Sequence, residues 1–207
     1  MAKQERALRT RNALIESAAE LFDRDGYEVA SLSTISARAG VSNGALHFHF
    51  TSKAALADAV AQAAAQRLEL ITQQPADGAL QALIDATHAL VQTLDHDAVL
   101  RAGFGLSDNK EQAHAGADLR GQWREWVEGA LARADREGAL APESSVRDAA
   151  TAVVAVTAGL ETLGRQDEWW LSHTPLSRFW ALLLPRLAES SRLDALVASG
   201  TRAQMTP

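Results

Sequence analysis

The 207 residues carry a net charge of −6, no cysteine and few aromatics within an apolar fraction of 47%. The missing thiols exclude a disulfide framework, cysteine-ligated zinc and a thiol nucleophile, and no run approaches the roughly 18 apolar residues of a membrane span. Ala and Leu dominate, without the Val, Ile, Thr and Tyr enrichment that marks strands, so an all-α fold is expected.

The charged opening Met1-Ala2-Lys3-Gln4-Glu5-Arg6 lacks the apolar core of a signal peptide, which points to a cytoplasmic protein. Ile15, Ala18, Ala19 and Phe22 share one face of a first helix, from about Arg6 to Asp25, with Gly26 as its stop. Ser31 can cap a second helix that turns Leu32, Ile35 and Ala39 inward and ends at Gly40. Ser42 can cap a short third helix running through His49. After Thr51-Ser52 a long connector carries Leu56, Val60, Ala64, Leu68 and Ile71 as far as Gln74-Pro75. Leu80, Leu83, Ile84, Thr87, Val91 and Leu94 form the next amphipathic helix, which breaks at Asp95-His96-Asp97. A weaker segment, Ala98 to Leu106, precedes a polar loop from Ser107 to about Ala117.

Leu119, Trp123, Trp126, Val127, Ala130, Leu131 and Ala134 then line one face, with Gly138 just past the end. Ser144 to Gly164 is apolar almost all round, as expected of a helix buried on two sides. A last helix, from about Pro175 to Leu187, groups Leu176, Phe179, Trp180, Leu183 and Leu187; Trp169-Trp170 has no place in this scheme. The residues beyond about Glu189 are small and polar and read as a partly disordered tail. The expected organisation is a helix-turn-helix head at 1–52, a larger regulatory domain at 53–190 and a flexible tail at 191–207.

A net negative charge argues against a nucleic-acid partner until its distribution is considered. Through Lys53 there are seven basic residues against six acidic ones, so the acidic excess lies beyond the head. A helix lodged in the major groove must be short, braced across a tight turn, and small near its N-terminal end. Ser42-Asn43-Gly44-Ala45 fits that end: Asn43 suits a base edge or a phosphate, and the N–H groups of Ser42 to Ala45 favour an anion. Arg6, Arg9 and Arg11 read equally as contacts to phosphate or minor groove and as a solvated face, and Arg38 is equally open. Thr34, His47 and Phe48 complete the candidate DNA-contacting set.

Phe22, Gly26-Tyr27, Ile35, Ala39-Gly40-Val41-Ser42, Gly44-Ala45-Leu46, His49-Phe50 and Ser52-Lys53 resemble the head of the tetracycline-repressor family of regulators. That resemblance implies a homodimeric repressor bound to a double-stranded operator, with Phe50 packing in the head and Lys53 meeting phosphate. His47 stands where the family usually has tyrosine, and Asn43 where it often has a basic residue. His47 is therefore either a phosphate contact or a solvated residue, while His49 is expected to cap or pack the head.

Arg9-Thr10-Arg11, Phe22-Asp23, Gly26-Tyr27-Glu28, Gly44 to Phe50 and Val99-Leu100-Arg101-Ala102-Gly103, together with Trp123, resemble the γ-butyrolactone receptor branch of actinomycetes. This implies a small apolar effector of lactone or furan type, control of antibiotic genes, and Trp123 in the effector pocket. Trp126 reads first as core. Thr87, Gln122 and Thr157 are polar candidates on facing helices for holding the effector head. Dimerisation is expected through the last two helices.

An antibiotic or its precursor as effector, the absence of any effector, an all-helical enzyme and a helical interaction module stay open as alternatives. No catalytic set converges: His47 and His49 are two apart, whereas helical metal sites need spacings of three or four, and Asp95-His96-Asp97 is turn chemistry. Gly103-Phe104-Gly105 lacks both the preceding strand and the third glycine of a dinucleotide loop. Neither metal nor cofactor is expected.

Overall fold

The structure of the chain is a computed structural model that describes residues 2–107 and 118–201. Apart from Ser107, the polar loop expected as far as Ala117 therefore lies outside the described residues. Among these residues the α-helices follow in the order α1 (Ala2–Asp25), α2 (Leu32–Arg38), α3 (Asn43–His49), α4 (Lys53–Thr72), α5 (Ala79–His96), α6 (Ala98–Ser107), α7 (Leu119–Arg136), α8 (Val146–Gly164) and α9 (His173–Leu187). Short 3-10 turns cover Glu168–Leu171 and Ser190–Ala195. The described residues contain no strand, only one isolated antiparallel bridge between Leu140 and Ala188, and the expected all-α class holds.

Several boundaries differ from the sequence reading, among them the end of α4 at Thr72 and the start of α8 at Val146. Helix α1 already begins at Ala2, and α9 begins at His173, two residues before Pro175. Pro175 still sits in the first turn, where a backbone N–H has no intrahelical acceptor, so the missing donor costs nothing.

The chain divides into two compact units. The first is built from the described residues of Met1–Leu68 and Asp97–Arg120. Leu14, Leu21, Ile35, Leu46 and Leu56 are fully buried in it, and α1 packs on α6, α2 and α3. Gly103 marks a close crossing of α6 on α4: a Cβ there would lie 2.3 Å from the Cβ of Ala64. Ion pairs fasten the same helices. Arg67 on α4 bridges Glu16 on α1, at 2.6 Å, and Asp97, which also accepts from the Leu100 N–H at the start of α6. Arg101 on α6 meets Asp23 on α1 at 2.8 Å. The turn role read for Asp97 is thus a helix cap with an ionic partner.

The second unit comprises Glu69–His96 and the described residues of Gly121–Pro207. Helix α5 supplies its buried centre with Leu80, Leu83, Ile84, Thr87, Leu90 and Leu94, and packs on α8, α9 and the turn at Glu168–Leu171. Gly164 lets Leu171 close against the end of α8; a Cβ would lie 2.4 Å from the Leu171 Cγ.

The expected flexible tail is corrected as far as Thr201. The Val197 N–H donates to Gln81 Oε1 at 2.9 Å, and both the N–H and the hydroxyl of Thr201 donate to the carboxylate of Asp85. The rings of His88 and His173 stack at 4.7 Å and meet the carbonyls of Ala198 and Ser199. Small polar residues look disordered in sequence because they bury little apolar area, but here the partners are polar side chains and backbone. Residues 202–207 lie outside the described residues.

Candidate nucleic-acid interface and effector core

Helices α2 and α3 are set by two serine caps and one glycine. Ser31 Oγ accepts from the Thr34 N–H at 3.1 Å, and Ser42 Oγ from the Ala45 N–H at 3.2 Å. Between them Gly40 adopts φ 67°, in the left-handed region that a Cβ disfavours. The Ser36 hydroxyl, buried on α2, bonds Asn43 Oδ1 at 2.5 Å, so the first residue of α3 is tied back across the turn. Ile35 and Leu46 fill the space behind.

The opposite face of α3 is bare. Asn43, Gly44, His47 and Phe48 are exposed, and Phe48 retains 82% of its surface. Its ring meets that of the half-buried His49 edge-on at 5.2 Å. A Cβ on Gly44 would approach nothing closer than Ser42 Oγ at 3.9 Å. Ala45 is half-buried, and Thr34 is exposed with its hydroxyl 2.8 Å from Ser31 Oγ.

The basic candidates fall into different settings. Arg6 is exposed, and Arg9 is exposed but paired with Glu5 at 2.5 Å. Arg11 lays its guanidinium over the Phe50 ring at 5.3 Å, while Arg38 pairs with Glu20 on α1. Lys53, half-buried, donates from its ammonium to three backbone carbonyls of the α1–α2 loop.

In the second unit, Trp123 retains only 3% of its surface, and its indole N–H donates to Thr157 Oγ1 at 3.0 Å. The Thr157 hydroxyl in turn donates to the carbonyls of Val153 and Val154. Trp126, half-buried, stacks on Trp123 at 5.3 Å and 17°. Thr87 is equally occupied: it accepts from the Trp180 N–H at 2.9 Å and donates to the Ile84 carbonyl. Of the polar candidates the structure brings Thr157 to Trp123 and Thr87 to Trp180, and leaves Gln122 exposed. Trp180 is the participant that sequence reasoning placed in the core without assigning it a partner. Among the described residues no three potential ligands cluster for a metal ion.

Residues 14–60 match the family described as bacterial regulatory proteins, tetR family. The A-factor receptor protein of Streptomyces griseus is 31% identical over 194 residues, covering 91% of this chain and 67% of that one. The chain belongs to the TetR family. Within it, the chain stands in the butyrolactone-receptor branch. A solved γ-butyrolactone receptor is similar at TM-score 0.80 and 29% identity, over 97% of this chain and all of that one. CprB of Streptomyces coelicolor, solved in complex with its operator sequence, matches at TM-score 0.80 and 30% identity, over 97% and 100% of the two chains. This chain is accordingly a TetR-family repressor of that branch.

Two features of this TetR-family chain escape a sequence reading. The indole-to-threonine bonds join residues 34 and 93 positions apart on separate helices, so no local spacing signals them. The acceptors of Lys53 are backbone atoms, which carry no residue-type signature.

Proposed function

We propose that this repressor reads an inverted-repeat operator as a homodimer and is released by a small apolar effector of γ-butyrolactone or furan type, controlling antibiotic genes in the cytoplasm. The observation that carries the DNA reading is Gly44. Glycine inside a helix costs about 0.5–1 kcal/mol relative to alanine, and nothing among the described residues asks for it, because the space above it is open. A missing side chain on a bare helix face serves an approaching surface. Phe48, one turn further along that face, supplies an apolar ring of the kind that packs on a thymine methyl. Asn43, His47 and Thr34 add polar groups around it, with Arg6 and Arg9 as phosphate contacts.

Dimerisation is assigned to α8 and α9, where Leu163 is part-exposed and Leu182 largely exposed on the protomer. A second copy that covers them would set two copies of α3 at the spacing of successive major grooves, about 34–36 Å. The effector is assigned to the interior around Trp123, with Trp126 as a stacking wall. There a lactone carbonyl exchanges with Thr157 for the indole N–H. An effector that favours one state of the dimer shifts the population away from operator spacing.

Duplexes selected from a random pool are expected to carry an inverted repeat, and their affinity to fall steeply with salt. Gly44→Ala is expected to fold at least as stably as the wild type and to lose that binding. A pool without two-fold symmetry, or full binding by Gly44→Ala, overturns the DNA reading. Release of the duplex by a synthetic alkyl γ-butyrolactone tests the effector class separately.

A further inference from the structure

Asn43 opens α3 and is exposed, like Gly44, His47 and Phe48. Its side chain is nevertheless held. The hydroxyl of Ser36, a residue that keeps only 3% of its surface, lies 2.5 Å from Asn43 Oδ1 and 3.0 Å from the Ser33 carbonyl. A hydroxyl has a single proton to give. An O–H···O bond spans about 2.5–3.0 Å, whereas an N–H···O bond is seldom shorter than about 2.7 Å. The atom that Asn43 turns to Ser36 is therefore its oxygen, and the hydroxyl proton lies between the two. The Ser36 backbone is pinned as well, because its carbonyl accepts from the Val41 N–H at 3.0 Å across the turn. With the amide oxygen drawn back onto α2, the amide nitrogen is the polar end left to face outward.

We propose that Ser36 sets the base preference of Asn43: by holding Oδ1 against α2 it presents Nδ2 alone to the major groove, so that Asn43 selects guanine and rejects adenine. An asparagine reads adenine with both amide atoms, the nitrogen donating to N7 and the oxygen accepting from the N6 amino group. Here the oxygen is engaged behind the reading face, and adenine would set its amino group against a second donor. Guanine places two acceptors, O6 and N7, side by side in front of the NH2 group. Ser36 touches no base and carries no charge, so it is a positioning residue whose loss changes which base is read and leaves phosphate contacts alone.

The inference rests on the DNA-binding reading given above. The test takes the full chain as wild type, Asn43→Ala, Asn43→Asp and Ser36→Ala, titrated by fluorescence anisotropy over a range of salt. The duplexes are the inverted repeat recovered with the wild type and its versions with each base pair of one half-site changed in turn. The pair whose preference disappears in Asn43→Ala is the one that Asn43 reads. For the wild type it is expected to be G·C, with a loss of about tenfold on change to A·T, equivalent to about 1.4 kcal/mol. Asn43→Asp keeps one oxygen for Ser36 and turns the other outward, which moves the preference from guanine to cytosine. In Ser36→Ala the amide is free to turn, and the guanine-to-adenine ratio is expected to fall by at least about threefold with an unchanged salt slope. An A·T pair preferred by the wild type, a uniform loss on all duplexes in Asn43→Ala, guanine retained by Asn43→Asp, or a smaller fall in Ser36→Ala overturns the proposal. Because loss of a buried hydroxyl can unfold the head, the tether is also read in the free wild type by 15N relaxation of the Asn43 side-chain amide. Its order parameter is expected above about 0.6 despite the exposure of the residue, and a flexible amide below that value overturns the proposal. A wild type that binds no duplex in a salt-dependent way removes the DNA reading and the base preference with it, while the amide relaxation still decides whether Ser36 holds the side chain.

Discussion

Thr157→Val keeps the shape of the side chain and removes the hydroxyl that the Trp123 indole N–H uses. Trp123 retains 3% of its surface, so water cannot replace that acceptor. A buried donor left without a partner costs about 1–3 kcal/mol. Trp123→Phe acts on the other side of the same bond and is gentler on hydrogen bonding, because the Thr157 hydroxyl keeps its donation to the Val153 and Val154 carbonyls. It loses about 1 kcal/mol for the bond plus a cavity term for the smaller ring. In the double variant no donor is orphaned and the cavity term is counted once. Urea unfolding of all four proteins, followed by far-UV circular dichroism at equal slopes, is expected to give a coupling of about 2–4 kcal/mol, because the cavity term cancels and the two hydrogen-bond losses do not. Additivity within about 0.3 kcal/mol would refute the reasoning and mean that the two side chains are adjacent without depending on each other.

Thr157→Val also frees the indole donor for a ligand carbonyl, so release by an alkyl γ-butyrolactone is expected at lower concentration than for the wild type; the anisotropy titration reads this directly. Gly103→Ala places a methyl group 2.3 Å from the Ala64 Cβ and is expected to lower stability by about 1–3 kcal/mol, with partial relief in the Gly103→Ala/Ala64→Gly pair on urea melts. His88 is held below the ordinary imidazole range chiefly by burial and then by the facing His173, against the opposing pull of the Ala198 carbonyl and Asp85. The folded chain therefore binds fewer protons here than the unfolded one, and stability falls as pH drops below about 6.5. Urea midpoints on either side of that pH should differ less in His88→Gln than in the wild type; an equal difference rejects the assignment. Leu182→Glu is expected to yield folded monomers by sedimentation while the wild type sediments as a dimer, and a dimeric variant would move the interface away from α9.

The head was legible because its signals are local. Ser31, Gly40 and Ser42 announce caps and a turn by residue type alone, and Ile35 and Leu46 fall at helical spacing behind them. The face of α7 was legible for the same reason, which is why Trp123 appears buried where the periodicity put it. Legibility ends where a side chain's partner is distant or is backbone. Thr87 and Thr157 could be picked out as polar residues on apolar faces, but not as acceptors for two particular indoles. Gln122 has the same polarity and sits exposed, one residue from Trp123, because neighbouring positions on a helix point about 100° apart. Lys53 was read by its charge, whereas its geometry depends on how a loop some 25 residues earlier turns three carbonyls inward.

The fastening of Val197 and Thr201 to α5 spans 116 residues of sequence. During synthesis α5 therefore emerges with the Gln81 amide bonded only to the carboxylate of Asp85 one turn along, and their links to the chain end close only after four further helices have left the ribosome. Contacts closed over such a separation form late and contribute little to early folding. The second unit thus passes through an interval in which its helices are already packed while one polar seam on α5 is still open. A stop or cut ahead of residue 197 would make that interval permanent, leaving a buried glutamine side chain without its backbone partner, at a cost of about 1–3 kcal/mol.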